Sequence, residues 1–281
     1  MQIIPRTRRL RWLVFPLAAY LLIAPIVMFL VALHNASKVN GLPTVMVHDS
    51  GFYLNYWLIA VGLGEYITII SAFVCTIRLY RYSDKMTKPL PIVSILIIGG
   101  TTLVSGLALD FPELLSQFER NSDALWAGEW WRLMTPLFVQ SAGWSQCIYN
   151  GLAALFLLPL AEKFYGKRLL ALYFVSGLAG EICFYTLEPS ASGAGSSVAI
   201  YGVMGGLFIY ALRHRRECSR SKIGCVISGL CPSLFMAYRH DFHGTGMLVG
   251  ALLACMMRTS MQVVSKTPPN PRIGCTVNFT N

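Results

Sequence analysis

Long apolar runs with few charged residues recur along the whole sequence, and they constrain the fold more than any other feature. They occupy residues 12–33, 53–79, 90–109, 144–160, 169–187, 197–213, 223–238 and 243–257. A helix needs about 20 mainly apolar residues to cross a bilayer. Only 13% of the residues are charged, about half of the share that soluble domains carry. The sequence therefore predicts an all-α polytopic membrane protein, with its seventh span broken by Pro232.

Basic residues cluster between the apolar runs and set the predicted topology. Four arginines precede the first run, and further Lys and Arg residues lie at 78–88, 162–168 and 213–222. Cytoplasmic loops carry such an excess, so we expect eight spans with both termini in the cytoplasm. The sequence does not identify which membrane of the cell the protein occupies. This placement also accounts for the net charge of +10. We therefore expect the lipid bilayer, and no nucleic acid, as a partner.

The eight cysteines are scattered, mostly in or beside the apolar runs. Their spacing matches neither a metal site nor a disulfide framework. Buried apolar cysteine is the better interpretation. We expect no metal and no cofactor.

Four hydrogen-bonding side chains are predicted to meet in the outer third of the membrane. Ser197 begins the sixth span and His243 begins the eighth, while Gln146 and Asn150 lie one to two turns into the fourth. A serine and a histidine at one depth can form a nucleophile and its base. A nearby amide can donate a hydrogen bond to an oxyanion. These residues are the candidate site.

Small residues are spaced so that the helices carrying Ser197 and His243 can approach closely. The sixth span has glycines at 202 and 206, and the eighth has small residues at 246, 250 and 254. Faces of this kind bring helix backbones together in membranes. The alternative interpretation is ordinary helix packing around a buried, hydrogen-bonded histidine.

Two carboxyls lie inside predicted spans, and such groups are functional candidates. For Glu65 we favour a carboxyl that is protonated or hydrogen-bonded to another helix, and for Glu181 the sequence indicates no evident partner. A small-solute transporter built around these two residues is an alternative function. It is disfavoured because the sequence has no inverted repeat.

Several motifs together resemble the rhomboid family of intramembrane serine proteases over about residues 90–257. Residues 128–135 read Gly-Glu-Trp-Trp-Arg-Leu-Met-Thr, similar to the Trp-Arg motif of the family's first external loop. Residues 195–202 read Gly-Ser-Ser-Val-Ala-Ile-Tyr-Gly, similar to its nucleophile motif. Residues 243–250 read His-Gly-Thr-Gly-Met-Leu-Val-Gly, similar to its histidine motif. Asn150, Glu162 and Gly166 fall at family spacing.

The resemblance implies roles for these residues. Ser197 and His243 would form a catalytic dyad, and Asn150 and Gln146 would bind the oxyanion. Tyr201 would stack on the histidine, with Gly202 and Gly246 as supporting residues. The substrates would be transmembrane segments of other proteins.

The same resemblance implies a division of the chain. A rhomboid-like six-helix core would span 89–258, after an N-terminal extension with two transmembrane helices at 1–88. Residues 259–281 would form a disordered cytoplasmic tail. Two extra N-terminal spans are unusual for the family.

Three positions depart from the family pattern and leave two functions open. Val198 stands where a glycine usually follows the serine, while Ser141 and Gln146 replace two histidines. The first expectation is a serine endopeptidase that cleaves within the membrane. The alternative is a weak or inactive rhomboid-like pseudoprotease that binds transmembrane clients for trafficking or degradation.

Overall fold

The computed structural model describes residues 23, 50–83, 90–187, 192–214 and 221–259. Within these ranges the regular structure is helical, apart from one isolated antiparallel bridge between Arg120 and Gly193. The predicted first span at 12–33, except residue 23, and the tail from residue 260 onward lie outside the described residues. The predicted all-α polytopic architecture is confirmed for the part of the chain that the structure describes.

Nine α-helices run through the described ranges. They are α1 (Ser50–Ser83), α2 (Ile92–Asp110), α3 (Pro112–Phe118), α4 (Ser122–Trp126), α5 (Trp144–Tyr165), α6 (Leu169–Leu187), α7 (Ser197–Arg213), α8 (Ser221–Tyr238) and α9 (Phe242–Met256). Short 3-10 helices occupy Trp130–Leu133, Thr135–Leu137 and Gly166–Arg168.

Three helical segments are long and apolar enough, by length and composition, to cross a membrane. They are Gly62–Tyr80, Ile92–Asp110 and Trp144–Leu187, the last of which joins α5 and α6. The shorter apolar helices Ser197–Arg213, Ile223–Tyr238 and Phe242–Met256 pack with them. The protein is an integral multi-pass membrane protein.

The end of α5 differs from the sequence prediction. The helix does not stop at residue 160 but continues to Tyr165, where Gly166 with φ +58° makes the turn. Glu162 is therefore helical. Its carboxylate accepts hydrogen bonds from the backbone N–H groups of Val93 (3.0 Å) and Ser94 (2.7 Å). These donors at the start of α2 have no partner within their own helix, so Glu162 joins α5 to α2.

The predicted break at Pro232 is wrong, because α8 continues through this residue to Tyr238. A proline removes one backbone hydrogen bond, but membrane helices tolerate it when neighbouring groups satisfy the freed atoms. α8 is bounded by α1, α7 and α9. Packing therefore outweighs the local helix-breaking tendency.

α7 is the central helix, and every residue from 198 to 211 is buried. Gly250 of α9 lies directly against Gly202, where an added Cβ would overlap the backbone, and Gly246 lies against α7 one turn earlier. The two backbones are thus in direct contact. Gly206 does not belong to this contact, because it faces Leu172 of α6.

The segment between α2 and α5 folds into short helices held by Arg132, which is buried. Its Nη1 donates to the carbonyl oxygens of Ser116 (2.9 Å) and Glu119 (2.8 Å), and its Nε pairs with Glu129 Oε2 at 2.7 Å. One guanidinium thus satisfies several backbone carbonyls. This gives the segment a fixed conformation beside the helix ends.

α1, which precedes the predicted core, packs along α8 and contacts α5 and α7. The structure describes the side chains of α1 at residues 62–80 and 83. Thr68 Oγ1 donates to Gly229 O of α8 at 3.2 Å, and Tyr80 OH donates to Phe156 O of α5 at 2.9 Å. α1 is thereby joined to two helices of the predicted core.

Candidate active site

Ser197 Oγ and His243 Nε2 lie 2.9 Å apart, within hydrogen-bond distance. Ser197 is the first residue of α7, and His243 is the second residue of α9. Because these helices touch along their glycine faces, the two side chains reach each other from the same end of the bundle. The sequence predicts this pair, and the structure brings the two residues together.

Asp241 fixes the start of the helix that carries His243. Its Oδ1 accepts the backbone N–H groups of His243 (2.8 Å) and Gly244 (3.1 Å), as an N-cap does. Burial raises the pKa of the Asp241 carboxyl, but the His243 imidazole and these hydrogen bonds outweigh it, so the pKa lies below its usual value. The same oxygen lies 3.4 Å from His243 Nδ1.

Glu65 of α1 is the carboxylate nearest to Nδ1 of His243, the ring nitrogen that does not contact Ser197. Its Oε1 lies 3.0 Å from His243 Nδ1. Nδ1 is buried, and neither Glu65 nor Asp241 makes a well-aligned hydrogen bond to it. The sequence favours an interhelical partner for Glu65 but does not identify His243. The polar residues Glu65, Thr68 and Ser71, three apart on one helix, are the signal that this face of α1 is directed at the bundle.

Glu65, Asp241 and His243 are also the group in the described residues that could hold a metal ion. Their three ligand atoms lie within 4.8 Å of one another. One imidazole nitrogen with two carboxylate oxygens is a donor set that zinc accepts. The same set suits an imidazole N–H flanked by two acceptors. The sequence predicts no metal here. The cluster can be interpreted either as a metal site or as an imidazole whose N–H lies between two carboxylate acceptors.

Two aromatic rings contact His243. The Tyr201 ring centroid lies 4.9 Å from that of His243 at an interplanar angle of 40°, and the Phe242 centroid lies 4.3 Å away at 36°. Tyr201 is in the predicted place, but its ring is tilted rather than stacked. The rings restrict the rotation of the imidazole beside Ser197.

Ser141 holds the segment that precedes the serine. Its Oγ accepts a hydrogen bond from Ala194 N (2.8 Å) and donates one to Ala194 O (3.1 Å). Gly195 N donates to Pro136 O at 3.0 Å. Ser141, which stands where the resemblance expects a histidine, thus fixes the backbone that leads to Ser197.

The two candidate oxyanion residues have different surroundings. Gln146 Nε2 donates to Ala194 O at 3.1 Å, which leaves the second hydrogen of its amide. Asn150 Nδ2 donates to Gln140 Oε1 at 2.7 Å. Gln140 Nε2 in turn donates to Ser196 Oγ at 3.0 Å. The sequence interpretation missed Gln140, and no motif in the sequence marks it.

A space beside Gly195 connects these groups with the serine. A Cβ at Gly195 would lie 2.5 Å from Gln146 Nε2 and 3.5 Å from both Ser197 Oγ and Gln140 Oε1. The Gln146 amide therefore lies where a side chain at position 195 would be, on the side of this residue that also faces the Ser197 hydroxyl. Asn150 reaches this space only through Gln140.

Val198, the departure next to the serine, fits because two neighbours are glycines. It is fully buried. Its Cγ1 occupies the space that a Cβ at Gly180 of α6 would need, and it would lie 2.9 Å from a Cβ at Gly246 of α9. The larger side chain is thus accommodated in neighbouring helices, and the serine keeps its position.

Glu181 has a partner that the sequence does not indicate. Arg120, which follows α3, forms a bidentate ion pair with this carboxylate, with both oxygens 2.6 Å from the guanidinium. Both side chains are buried. Sequence periodicity gives no signal for the pair, because Arg120 lies outside the apolar runs.

Comparison with known proteins finds similarity to rhomboid proteins. The family model of the Rhomboid domain matches residues 127–260. Rhomboid protease GluP of Bacillus subtilis (strain 168) is 38% identical over 111 residues, which are 39% of this chain and 22% of that protein. The YdcA protein of the same bacterium is 36% identical over 92 residues, 32% of this chain and 45% of YdcA.

A third relative is eukaryotic. Rhomboid-like protease 3 of Toxoplasma gondii is 28% identical over 148 residues, 48% of this chain and 55% of that protein. The chain thus spans between about a fifth and just over half of the length of these relatives. Ser197, His243 and the helices that carry them lie within residues 127–260, the part of the chain that matches the Rhomboid domain.

Proposed function

We propose that this protein is an intramembrane serine endopeptidase that cleaves transmembrane segments of other membrane proteins. The observation that carries the proposal is the 2.9 Å contact between Ser197 Oγ and His243 Nε2. This distance lies within the range for a nucleophile and its general base. Similarity to rhomboid proteases supports the same reaction class.

In the first half of the reaction, Ser197 Oγ attacks the scissile carbonyl carbon while its proton passes to His243 Nε2. The carbonyl π electrons move to oxygen and form an oxyanion. His243 then gives this proton to the departing amide nitrogen as the C–N bond breaks. Water, deprotonated by His243, hydrolyses the resulting acyl-enzyme and regenerates the Ser197 hydroxyl.

The space beside Gly195 is where we propose that the oxyanion lies. Gln146 Nε2 lies 2.5 Å from where a Cβ at Gly195 would be, and the amide hydrogen that Ala194 O does not accept is the proposed donor. Donors aimed at a developing charge stabilise the transition state, and one donor typically changes kcat by about 10²–10³-fold. Asn150 contributes indirectly, because its amide donates a 2.7 Å hydrogen bond to Gln140 Oε1, an acceptor that faces the same space.

The proposed orientation of the protein in the membrane follows from the positions of its basic residues. The last turn of α5 carries Lys163, and the 3-10 turn before α6 carries Lys167 and Arg168. α7 ends at Arg213, while Ser197 lies at its opposite end. Under the positive-inside rule these basic ends face the cytoplasm. The site then opens toward the other side, with residues 89–258 as the proteolytic core and 1–88 as its extension.

The test is cleavage of a model single-span substrate by the detergent-purified protein and by its Ser197→Ala variant. We expect cleavage by the wild type, and Ser197-dependent labelling by a fluorophosphonate probe. The variant should lose both. Cleavage that persists in Ser197→Ala would show that the proposed nucleophile is wrong. Ser196→Ala is the matched control, because Ser196 Oγ is bonded to Gln140 rather than to His243.

A second function is a rhomboid-like pseudoprotease that binds transmembrane clients. The observation that favours it is that Ser141 and Gln146, in place of two histidines, hydrogen-bond the backbone at Ala194. Capture of transmembrane clients by a protein that takes no fluorophosphonate label at Ser197 would support this function over the enzyme.

A further inference from the structure

We infer that Glu65 is the positioning residue of His243, so that a helix outside the matched domain completes a Ser197–His243–Glu65 triad. The inference rests on the proposed proteolytic function. Its geometric basis is the 3.0 Å distance between Glu65 Oε1 and His243 Nδ1, the ring nitrogen that does not contact Ser197. Glu65 lies in α1, well before residue 127, where the family match begins.

The chemistry of the imidazole requires an acceptor at this place. To take the Ser197 proton at Nε2, a neutral histidine must carry its own proton on Nδ1. That Nδ1–H is buried, and a buried donor without an acceptor costs about 1–3 kcal/mol. A carboxylate at Nδ1 holds the required tautomer and stabilises the imidazolium that forms after proton transfer.

Glu65 suits this role better than Asp241 does. Asp241 Oδ1 already accepts two backbone N–H groups and is the more distant oxygen, at 3.4 Å from Nδ1. Glu65 Oε1 is closer, and a third of its side-chain surface is exposed, so the side chain has room to rotate onto the N–H direction. Catalytic hydrogen bonds are often poorly aligned before substrate binds and tighten afterwards.

The position of Glu65 is fixed by the packing of α1. One turn further on, Thr68 Oγ1 donates to Gly229 O at 3.2 Å, and Ser71 Oγ lies 2.8 Å from Ser228 Oγ. Gly64 faces α8, where an added Cβ would lie in ordinary contact with Met236, 3.4 Å from its Cγ. These contacts set the register of α1 against α8, so Glu65 is held on a rigid element beside the site.

Other titratable groups face His243 from each neighbouring helix. Asp241 lies on its own turn, Tyr201 lies on α7, and Glu181 lies on α6. Glu181 is occupied by both of its hydrogen bonds to Arg120. Glu65 is therefore the carboxylate at Nδ1 that lacks another described hydrogen-bond donor.

The experiment compares Glu65→Gln with wild type in single-turnover and steady-state cleavage of the model substrate. Gln keeps the shape of the side chain and removes its charge. We expect kcat to fall at least about 10-fold, with KM changed less than about twofold, because the loss lies in proton transfer. The rate of fluorophosphonate labelling at Ser197 should fall in parallel. Glu113→Gln, an exposed carboxylate of α3, is the matched control.

The outcomes separate this inference from the proposed function. If Ser197→Ala abolishes cleavage and Glu65→Gln cleaves like wild type, the triad is wrong and the protease stands. If Asp241→Asn slows kcat and Glu65→Gln does not, Asp241 is the partner and the inference fails. If cleavage persists in Ser197→Ala, the proposed function fails.

A measurement that needs no activity decides the triad in every case. In the Ser197→Ala protein with ¹⁵N-labelled histidines, we expect a His243 Nδ1–H proton that is shifted downfield and protected from exchange. Glu65→Gln should move this resonance upfield, because a charged acceptor makes the stronger hydrogen bond. An unchanged resonance in a variant with wild-type circular dichroism and gel-filtration behaviour would overturn the inference.

Discussion

Arg120 donates one hydrogen bond from Nε and another from Nη2 to the two carboxylate oxygens of Glu181, each 2.6 Å long. The guanidinium also lies over the rings of Phe184 (4.6 Å) and Phe242 (5.1 Å). Phe242 is adjacent to His243 in α9. One buried ion pair thus connects the segment before α5 with α6 and with the helix that carries His243.

Removal of one partner of this pair should destabilise the protein strongly. In Glu181→Gln the Arg120 charge stays buried without its counter-ion, and such changes cost about 3–5 kcal/mol. We expect that loss in the free energy of unfolding, measured by reversible unfolding in mixed SDS and neutral detergent micelles.

The control is the double variant Arg120→Met with Glu181→Met, which removes both charges. It should be more stable than Glu181→Gln, because an apolar pair leaves no isolated charge. If the free energy of unfolding of Glu181→Gln lay within about 0.5 kcal/mol of the wild-type value, the ion pair would not be buried in the folded protein.

The pairing of Ser197 with His243 could be predicted from the sequence for a physical reason. Both residues begin apolar spans of the same direction, and the glycines at 202 and 250 let those spans touch. The depth of each residue in the membrane follows from the rise per residue of its helix, and the close approach of the two helices follows from their small residues. Neither inference requires knowledge of the other helices.

The partner of Glu65 could not be predicted in this way. A polar face on α1 indicates that the helix packs inward, but the neighbour is chosen by the fit of whole helix surfaces. The contact with His243 depends on α1 lying along α8, through Thr68 and Ser71. Arg120 is a similar case, because its position is set by the fold of a connecting segment rather than by helix periodicity.

The fit between Val198 and Gly180 gives a prediction about the residue after the serine. In Gly180→Ala the new Cβ would overlap Val198 Cγ1, and overpacking of this kind costs about 1–3 kcal/mol. We expect a lower free energy of unfolding and reduced labelling at Ser197, because Val198 must move. Adding Val198→Ala should restore both in part, because the new Cβ would still lie 3.0 Å from the backbone oxygen of Phe242.

Gly151→Ala is the matched control for that prediction, since a Cβ there meets nothing within 4 Å. It should leave labelling unchanged, and stability should stay the same or rise by up to about 1 kcal/mol. If Gly180→Ala alone and the double variant lost the same amount of stability and of labelling at Ser197, the proposed contact with Val198 would be wrong.

The space beside Gly195 should be sensitive to a single methyl group. Gly195→Ala puts a Cβ 2.5 Å from Gln146 Nε2, which displaces the amide from the proposed oxyanion position. We expect kcat to fall about 10²-fold, the effect of losing one donor, with little change in the free energy of unfolding. Steady-state cleavage with the Gly151→Ala control measures this. Unchanged kcat would remove Gln146 from the oxyanion site.

Chelation distinguishes the two interpretations of the cluster formed by Glu65, Asp241 and His243. If the carboxylates serve the imidazole, treatment with EDTA or 1,10-phenanthroline should leave cleavage of the model substrate unchanged. Added Zn²⁺ should inhibit, because it would compete for His243 Nδ1 and both carboxylates. Glu65→Gln should weaken that inhibition, since one ligand loses its charge. A loss of activity on chelation that Zn²⁺ restores would instead make the cluster a functional metal site.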